Sequence, residues 1–141
     1  MQNIDNFIHN WVEDPFKTKV IFSSLFQDLK QKEDVTIEFH ERPGITYSLR
    51  GIHKNQKDRP LFVMIDVIDD DPRQRWLSVC FYGDMIEDPD ELGDLIPEGL
   101  LGSDGYCFDF TEHDDALGDY VRRRIQEAYE NACITEINQG D

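Results

Sequence analysis

The sequence predicts an α+β domain that combines an antiparallel sheet of about five strands with two N-terminal helices, a short inserted helix and a C-terminal helix. Apolar residues recur at helical spacing near both ends of the chain and alternate at strand spacing between them. The connections are short, which favours antiparallel neighbours. Because the 141 residues contain no linker or low-complexity tract, we expect a single domain over residues 1–133 and a flexible tail over residues 134–141.

Two apolar stripes predict the N-terminal helices. Ile4, Phe7 and Trp11 share one helical face, which indicates a short helix over residues 3–12. Asp14 followed by Pro15 is typical of a helix start, and apolar residues then continue at helical spacing to about residue 32. The second helix is therefore expected to begin at this pair.

Four strands are predicted between residues 35 and 83. Residues 35–39 and 45–49 alternate on either side of a turn, as in a hairpin. Residues 61–69 and 76–83 are apolar on both faces, which is typical of strands that are covered on both faces. If the helices cover only one face, the other is expected to form a homodimer interface. The residues predicted for that interface are Phe62, Met64, Trp76 and Tyr82.

One helix and one strand are predicted in the acidic middle of the chain, before the C-terminal helix. Asp88 as N-cap, Pro89 at the first helical position and Glu91 three residues after the cap predict the short inserted helix. Aromatic residues alternate over residues 106–110, which indicates a strand, and an apolar stripe predicts a helix over residues 114–133.

This order of elements resembles the architecture of the type III secretion chaperones: a small acidic chain with a helix, a run of strands, an inserted helix, another strand and a closing helix. Members of that group are homodimers that bind extended segments of client proteins, so the resemblance implies a protein-binding role. The chain departs from the pattern by placing four strands rather than three before the inserted helix and one rather than two after it.

Most of the net charge of −16 lies in residues 66–119, where 17 acids face two arginines and account for −15 of the total. A concentrated negative field attracts a basic protein and repels nucleic acid and anionic membranes. We therefore expect a protein-binding module with an acidic face, comparable to an immunity protein, an antitoxin or a chaperone. Solubility alone is the simpler interpretation of the same charge. The predicted face consists of Asp69, Asp70, Asp71, Glu87, Asp88, Asp90, Glu91, Asp94, Asp114 and Asp115.

Catalytic and metal-binding motifs are weaker signals. Counted from Asp88, an EF-hand loop fails because its fifth position is Leu92 and its twelfth is Gly99. His113 before two acids fits an acid/base or metal site, but helix capping explains the same residues. No phosphate-binding glycine loop and no nucleophile motif is present. We expect no cofactor and keep as the alternative a small enzyme that uses Asp, Glu and His, with or without a divalent metal.

The cysteines and the N-terminal residues predict a cytoplasmic protein. Cys80, Cys107 and Cys133 are odd in number and lack CxxC spacing, which favours a reducing compartment in which each acts as a small apolar residue. The first residues carry acids where a secretory signal needs bases and an apolar run, and no apolar stretch approaches about 18 residues.

Overall fold

The structure, a computed structural model, describes residues 2–139 and confirms an α+β fold with one antiparallel sheet. The strands are β1 (Val35–Arg42), β2 (Thr46–His53), β3 (Val63–Ile68), β4 (Trp76–Tyr82), β5 (Asp94–Leu100) and β6 (Ser103–Phe110). Their order is β1-β2-β3-β4-β6-β5, and each neighbouring pair is antiparallel. The sheet thus has six strands instead of the predicted five or so.

Three helices accompany the sheet: α1 (Gln2–Asn10), α2 (Lys19–Lys30) and α3 (Asp115–Gln139). Helix α3 continues into the predicted tail, residues 134–141, of which residues 140 and 141 lie outside the described residues. Within the described residues, no helix is both long enough and apolar enough to cross a membrane.

Helix α2 begins later than the Asp14–Pro15 pair predicted. Lys17 has a φ of 59°, in the left-handed region, so the helix cannot run through it. The Asp14 carboxylate accepts a hydrogen bond from the backbone N–H of Thr18 at 3.1 Å. The acid therefore closes a turn ahead of the helix instead of starting it.

All three helices pack on the same face of the sheet, which we call the helix face. The ring of Phe7 in α1 stacks on Tyr47 of β2 with centroids 4.2 Å apart. The ring of Tyr120 in α3 lies 5.9 Å from that of Phe108 in β6. The fully buried aromatic side chains of this layer include Trp11, Phe22, Phe26, Phe81 and Phe110.

Phe62 also lies on the helix face, although strand alternation placed it on the second face. β3 begins at Val63, so Phe62 precedes the strand and its direction does not follow the alternation. Its backbone N–H donates to the carbonyl of Gly51 at 2.8 Å, and its ring centroid lies 5.8 Å from that of Tyr129 in α3. Phe62 is therefore part of the core and does not belong to the predicted dimer surface.

The predicted inserted helix at Asp88 is wrong: no helix occupies this part of the described chain, and β5 follows instead. The Asp88 carboxylate accepts hydrogen bonds from the backbone N–H groups of Leu92 at 3.0 Å and Gly93 at 2.8 Å. An N-cap would bond two or three residues ahead, whereas these bonds reach four and five ahead and close a turn. Asp94 then pairs with Cys107, which makes the next segment a strand.

The opposite face of the sheet, which we call the open face, carries polar residues and a disulfide. Arg50 donates from Nε to the Ser48 hydroxyl at 3.2 Å. Cys80 and Cys107 are directly opposite each other in β4 and β6, with Cα atoms 4.2 Å apart, and they form a disulfide. The sequence predicted independent thiols, because the register that brings these two together is not visible in their spacing.

The other residues predicted for a dimer interface lie on the open face with little surface left. Met64 is 9% exposed and Tyr82 is 2% exposed. The guanidinium carbon of Arg59 lies 4.4 Å from the Tyr82 ring centroid and covers that ring. Trp76 is half-buried. Dimerisation through this face stays a prediction, and it has less apolar surface available than the strand pattern suggested.

Asp66 of β3 is a poorly hydrated carboxylate on the open face. Its Oδ1 is buried and has no hydrogen-bond partner among the described residues. Burial raises the pKa of Asp66 above its ordinary 3.8, while a hydrogen bond to Ser48 and the charge of Arg50 act in the opposite direction. The native state therefore binds this proton more tightly than the unfolded chain, so stability falls as pH rises above the unfolded pKa.

Substitution of Asp66 by asparagine is expected to stabilise the protein at neutral pH. Because Asp66→Asn removes a desolvated charge, we expect the free energy of unfolding to rise by about 1 kcal/mol. The difference should fade below about pH 4, where both states bind the proton. Urea unfolding at the two pH values measures it, with Asp109→Asn, an exposed acid of β6, as control. A destabilised Asp66→Asn at neutral pH would show that Arg50 holds the carboxylate.

Replacement of glycine by alanine is expected to change the free energy of unfolding in opposite directions at Gly51 and Gly118. A Cβ at Gly51 would lie 3.1 Å from atoms of Phe62 and Val63, so Gly51→Ala is expected to overfill the core. We expect it to lower the free energy of unfolding by about 1–3 kcal/mol. A Cβ at Gly118 in α3 would meet nothing within 4 Å, and Gly118→Ala is expected to add about 0.5–1 kcal/mol. Urea unfolding distinguishes the two signs, and an unchanged Gly51→Ala would contradict the packing described.

Candidate functional site

We name the two ends of the sheet after Trp76 and Tyr82, the first and last residues of β4. The ten predicted acidic residues fall into two groups of segments. Those at the Trp76 end belong to the β3–β4 loop and to the start of α3, and they are Asp69, Asp70, Asp71, Asp114 and Asp115. The others belong to the loop between β4 and β5 and to the first residue of β5, and they are Glu87, Asp88, Asp90, Glu91 and Asp94.

Asp69 belongs to the interior and not to an acidic surface. Asp69 is only 3% exposed to solvent. One carboxylate oxygen accepts from Arg75 Nε and the other from the backbone N–H of Gly44, each at 2.7 Å. The Arg75 guanidinium carbon in turn lies 5.1 Å from the Phe7 ring centroid and 5.5 Å from that of Trp11. Asp69 therefore joins the β3–β4 loop to the β1–β2 turn and to α1.

Two further acids at the Trp76 end cap local structure. Asp71 accepts a hydrogen bond from the backbone N–H of Arg73 at 3.0 Å. Asp114 accepts one from the backbone N–H of Leu117 at 3.0 Å, which confirms the predicted capping of the C-terminal helix. Asp70 is exposed. This end of the sheet thus combines structural carboxylates with a few exposed ones.

His113 lies between two acceptors. Its Nδ1 is 3.2 Å from the carbonyl oxygen of Lys17, and its Nε2 is 2.8 Å from a carboxylate oxygen of Asp115. These two contacts raise the pKa of His113, since both ring nitrogens must donate to them. The imidazolium form of His113 is favoured, and it has no free lone pair with which to act as a general base. Among the described residues, no three His, Cys, Asp or Glu side chains come together to hold a metal ion.

Asp88 organises the loop between β4 and β5. Tyr120 of α3 donates its hydroxyl hydrogen bond to this carboxylate, in addition to the two backbone donors already described. Burial alone would raise the pKa of Asp88, but the hydrogen bonds outweigh it and lower the pKa. The same carboxylate, as a hydrogen-bond acceptor, raises the pKa of Tyr106. Asp88 is therefore a fixed part of the loop, beside exposed Asp90 and Glu91.

The candidate binding site is the segment over residues 84–104, which we call the hairpin segment. It contains eight acids and no lysine, arginine or histidine. It also contains four large apolar side chains that are 43% to 54% exposed, and such groupings on a protein surface mark interaction sites. These side chains are Leu92, Leu95, Ile96 and Leu101.

Helix α3 and the β2–β3 loop hold the base of the hairpin segment. Asn131 donates from Nδ2 to the carbonyl of Met85 at 2.6 Å, and Glu127 accepts from the backbone N–H of Glu87 at 3.1 Å. Arg59 makes two hydrogen bonds to the Asp84 carboxylate, at 2.6 and 2.8 Å. The segment is therefore presented on a preformed support, which reduces the ordering that binding requires.

The tip of the hairpin segment is irregular. Leu101 and Gly102 have φ values of 51° and 88°, as in the tight turns that join antiparallel strands. The pairing of β5 with β6 shifts between Ile96 and Leu100, and Pro97 removes a backbone donor there. Bulges and proline make an edge strand a poor template for another strand. Recognition at this edge therefore depends on its side chains.

Cys133 lies beside His53, with Sγ 3.3 Å from Nε2. The backbone N–H of Asn55 donates to Nδ1 of this ring at 3.0 Å. A neutral ring that accepts at Nδ1 carries its proton on Nε2, so His53 donates to the sulfur and cannot deprotonate it. Burial lowers the pKa of His53, which favours this neutral form. The pair lacks the tautomer that a thiol nucleophile needs.

Sequence reasoning missed the apolar part of the hairpin segment. The sequence pattern predicts a helix start at Asp88 and a loop over residues 96–105. The available signal was the adjacent pairs Leu95–Ile96 and Leu100–Leu101 among acids. Adjacent residues of a strand point to opposite faces, so at an edge that is covered on one face at least one member of each pair remains exposed.

Comparisons with known protein families, with curated proteins and with solved structures give no match to this chain. Residue chemistry and geometry therefore carry the functional inference.

Proposed function

We propose that this protein is a non-enzymatic binding module that captures a basic, partly apolar segment of another protein at the hairpin segment, in the manner of an immunity protein, an antitoxin or a chaperone. One observation carries the proposal. Eight acids without a base and four exposed apolar side chains occupy the same 84–104 stretch, on a support fixed to α3.

The apolar side chains would supply much of the binding free energy. Covering a half-exposed leucine or isoleucine contributes about 1 kcal/mol, since full burial contributes about 1.5–3 kcal/mol. Leu95 and Leu101 are 54% and 53% exposed, which leaves such area available. A partner with apolar side chains between its charges would match them.

The acids would select the charge of the partner. Asp90, Glu91 and Asp94 are exposed, and the segment offers no base to neutralise them. A basic partner is attracted before contact and associates faster at low salt, whereas nucleic acid and anionic membranes are repelled. The partner class is therefore a basic protein surface.

The alternative, a small enzyme that uses carboxylates and histidine, has less support from the geometry. Both ring nitrogens of His113 face acceptors, and His53 presents a proton to Cys133. Neither histidine is arranged as a general base.

A fluorescein-labelled peptide of alternating lysine and leucine tests the proposed function by fluorescence anisotropy. We expect it to bind, and its Kd to rise steeply between about 50 and 200 mM salt because screening weakens the attraction. A peptide of alternating glutamate and leucine is the charge control and is expected not to bind. No binding of the lysine peptide at low salt would contradict the proposal.

Variants of the chain then locate the site. Leu95→Ser combined with Leu101→Ser is expected to weaken binding about tenfold, through lost apolar contact. Asp94→Asn is expected to slow association. Val20→Ser, which changes an apolar residue that is 57% exposed on α2, and Asp70→Asn, at the opposite end of the sheet, are the matched controls. Equal losses in the hairpin and control variants would show that binding is not located at the hairpin segment and would overturn the proposal.

A further inference from the structure

A polar cleft of about 220 Å³ lies between α1 and the β1–β2 hairpin, remote from the hairpin segment. It is smaller than the roughly 300–1,000 Å³ typical of drug-sized ligands, so it suits a ligand of few heavy atoms. The polar residues that line it are Asn3, Asn6 and Asn10 of α1, Glu41 and Tyr47 of the β1–β2 hairpin, and Arg75.

Arg75 reaches the cleft with its guanidinium already positioned. Asp69 accepts the Nε–H at 2.7 Å, and the side chain is 13% exposed. The guanidinium carbon lies 5.1 Å from the Phe7 ring centroid and 5.7 Å from that of Tyr47. A guanidinium has five N–H donors, and the bond to Asp69 uses the one on Nε. The two Nη groups can therefore make a bidentate contact with a carboxylate.

Three asparagines line the opposite wall. Helix α1 has nine residues, of which Asn3, Asn6 and Asn10 are asparagine, a weak helix former. Their spacing of three and four residues places them on one side of the helix, and that side lines the cleft. Amides both donate and accept hydrogen bonds. This wall therefore suits a ligand that carries polar groups of both kinds.

Charge decides the class of ligand. The net charge of −16 repels a free anion, and Glu41 adds a carboxylate inside the cleft. A simple cation would face Arg75. A small zwitterion satisfies both charged residues without adding net charge. We propose that the cleft binds a free α-amino acid with a polar side chain, with its carboxylate on Arg75, its ammonium on Glu41 and its side chain among the asparagine amides.

L-glutamine is the probe, and two analogues each remove one charge. N-acetyl-L-glutamine keeps the carboxylate but lacks the ammonium, and L-glutaminamide has the reverse pattern. We expect L-glutamine to shift the amide NMR signals of the cleft residues and to bind at least about fivefold more tightly than either analogue, because each loses one charged contact. Equal binding of an analogue would overturn the proposal, as would no shift in the cleft up to about 10 mM L-glutamine.

The test variants change exposed residues of the cleft and leave Arg75 in place, because loss of Arg75 would leave the buried Asp69 carboxylate unpaired. Asn6→Ala is expected to weaken L-glutamine binding about fivefold without lowering the melting temperature. Glu41→Gln is expected to weaken L-glutamine binding and to strengthen N-acetyl-L-glutamine binding, because repulsion is removed. Gln27→Ala, at an exposed position of α2, is the control and should change neither. A Glu41→Gln variant that changes both ligands alike would contradict the proposed orientation. The peptide experiments on the hairpin segment are independent of these results.

Discussion

All three helices bury their apolar stripes against one face of the six-stranded sheet, and this one-sided burial determines where everything else is placed. The helix face takes most of the buried aromatic side chains, including Phe62 from outside the strands. The open face carries Ser48, Arg50 and Asp66, the disulfide of Cys80 to Cys107, and the covered side chains of Met64 and Tyr82. Because the strand interiors are covered or polar, most of the acids and much of the exposed apolar surface fall at the ends and edges of the sheet.

At the Trp76 end, the buried pair of Asp69 and Arg75 joins segments that are distant along the chain. The carboxylate bridges the arginine and the β1–β2 turn, and the guanidinium lies among aromatic rings of α1 and β2. Removal of one partner would leave a buried charge uncompensated, so the pair specifies this corner of the fold. The same contacts hold the guanidinium at the edge of a polar cleft. A structural ion pair thus positions the guanidinium for the proposed contact with a ligand carboxylate.

Toward the Tyr82 end, the hairpin segment lies at the edge of the sheet, and the exposed side chains of β5 are outside the layer that the helices cover. Helix α3 fixes its base through Glu127 and Asn131, while its exposed leucines and carboxylates face solvent. The bulge and Pro97 discourage strand addition along the edge. The proposed binding role depends on three features together: a support fixed to α3, exposed apolar side chains, and exposed acids with no base in the same segment.

Local pattern was sufficient for elements whose apolar spacing has a single period: α2 apart from its first turn, α3, and strands β1 to β4. The cap of the C-terminal helix at Asp114 was likewise readable, because its donor is three residues away. The pattern was misleading at Asp88, where the aspartate carboxylate closes a turn and does not cap a helix. It was also misleading at Phe62, which lies just outside a strand and does not follow the strand alternation. The pattern also could not distinguish the buried Asp69 from the exposed Asp70, which are adjacent and chemically identical, and it could not pair Cys80 with Cys107.

The sequence by itself determined the type of the main elements and the sign and location of the charge along the chain. Only the tertiary structure decided which acids are buried, which thiols meet and which apolar residues remain exposed, because these depend on contacts between segments far apart in sequence.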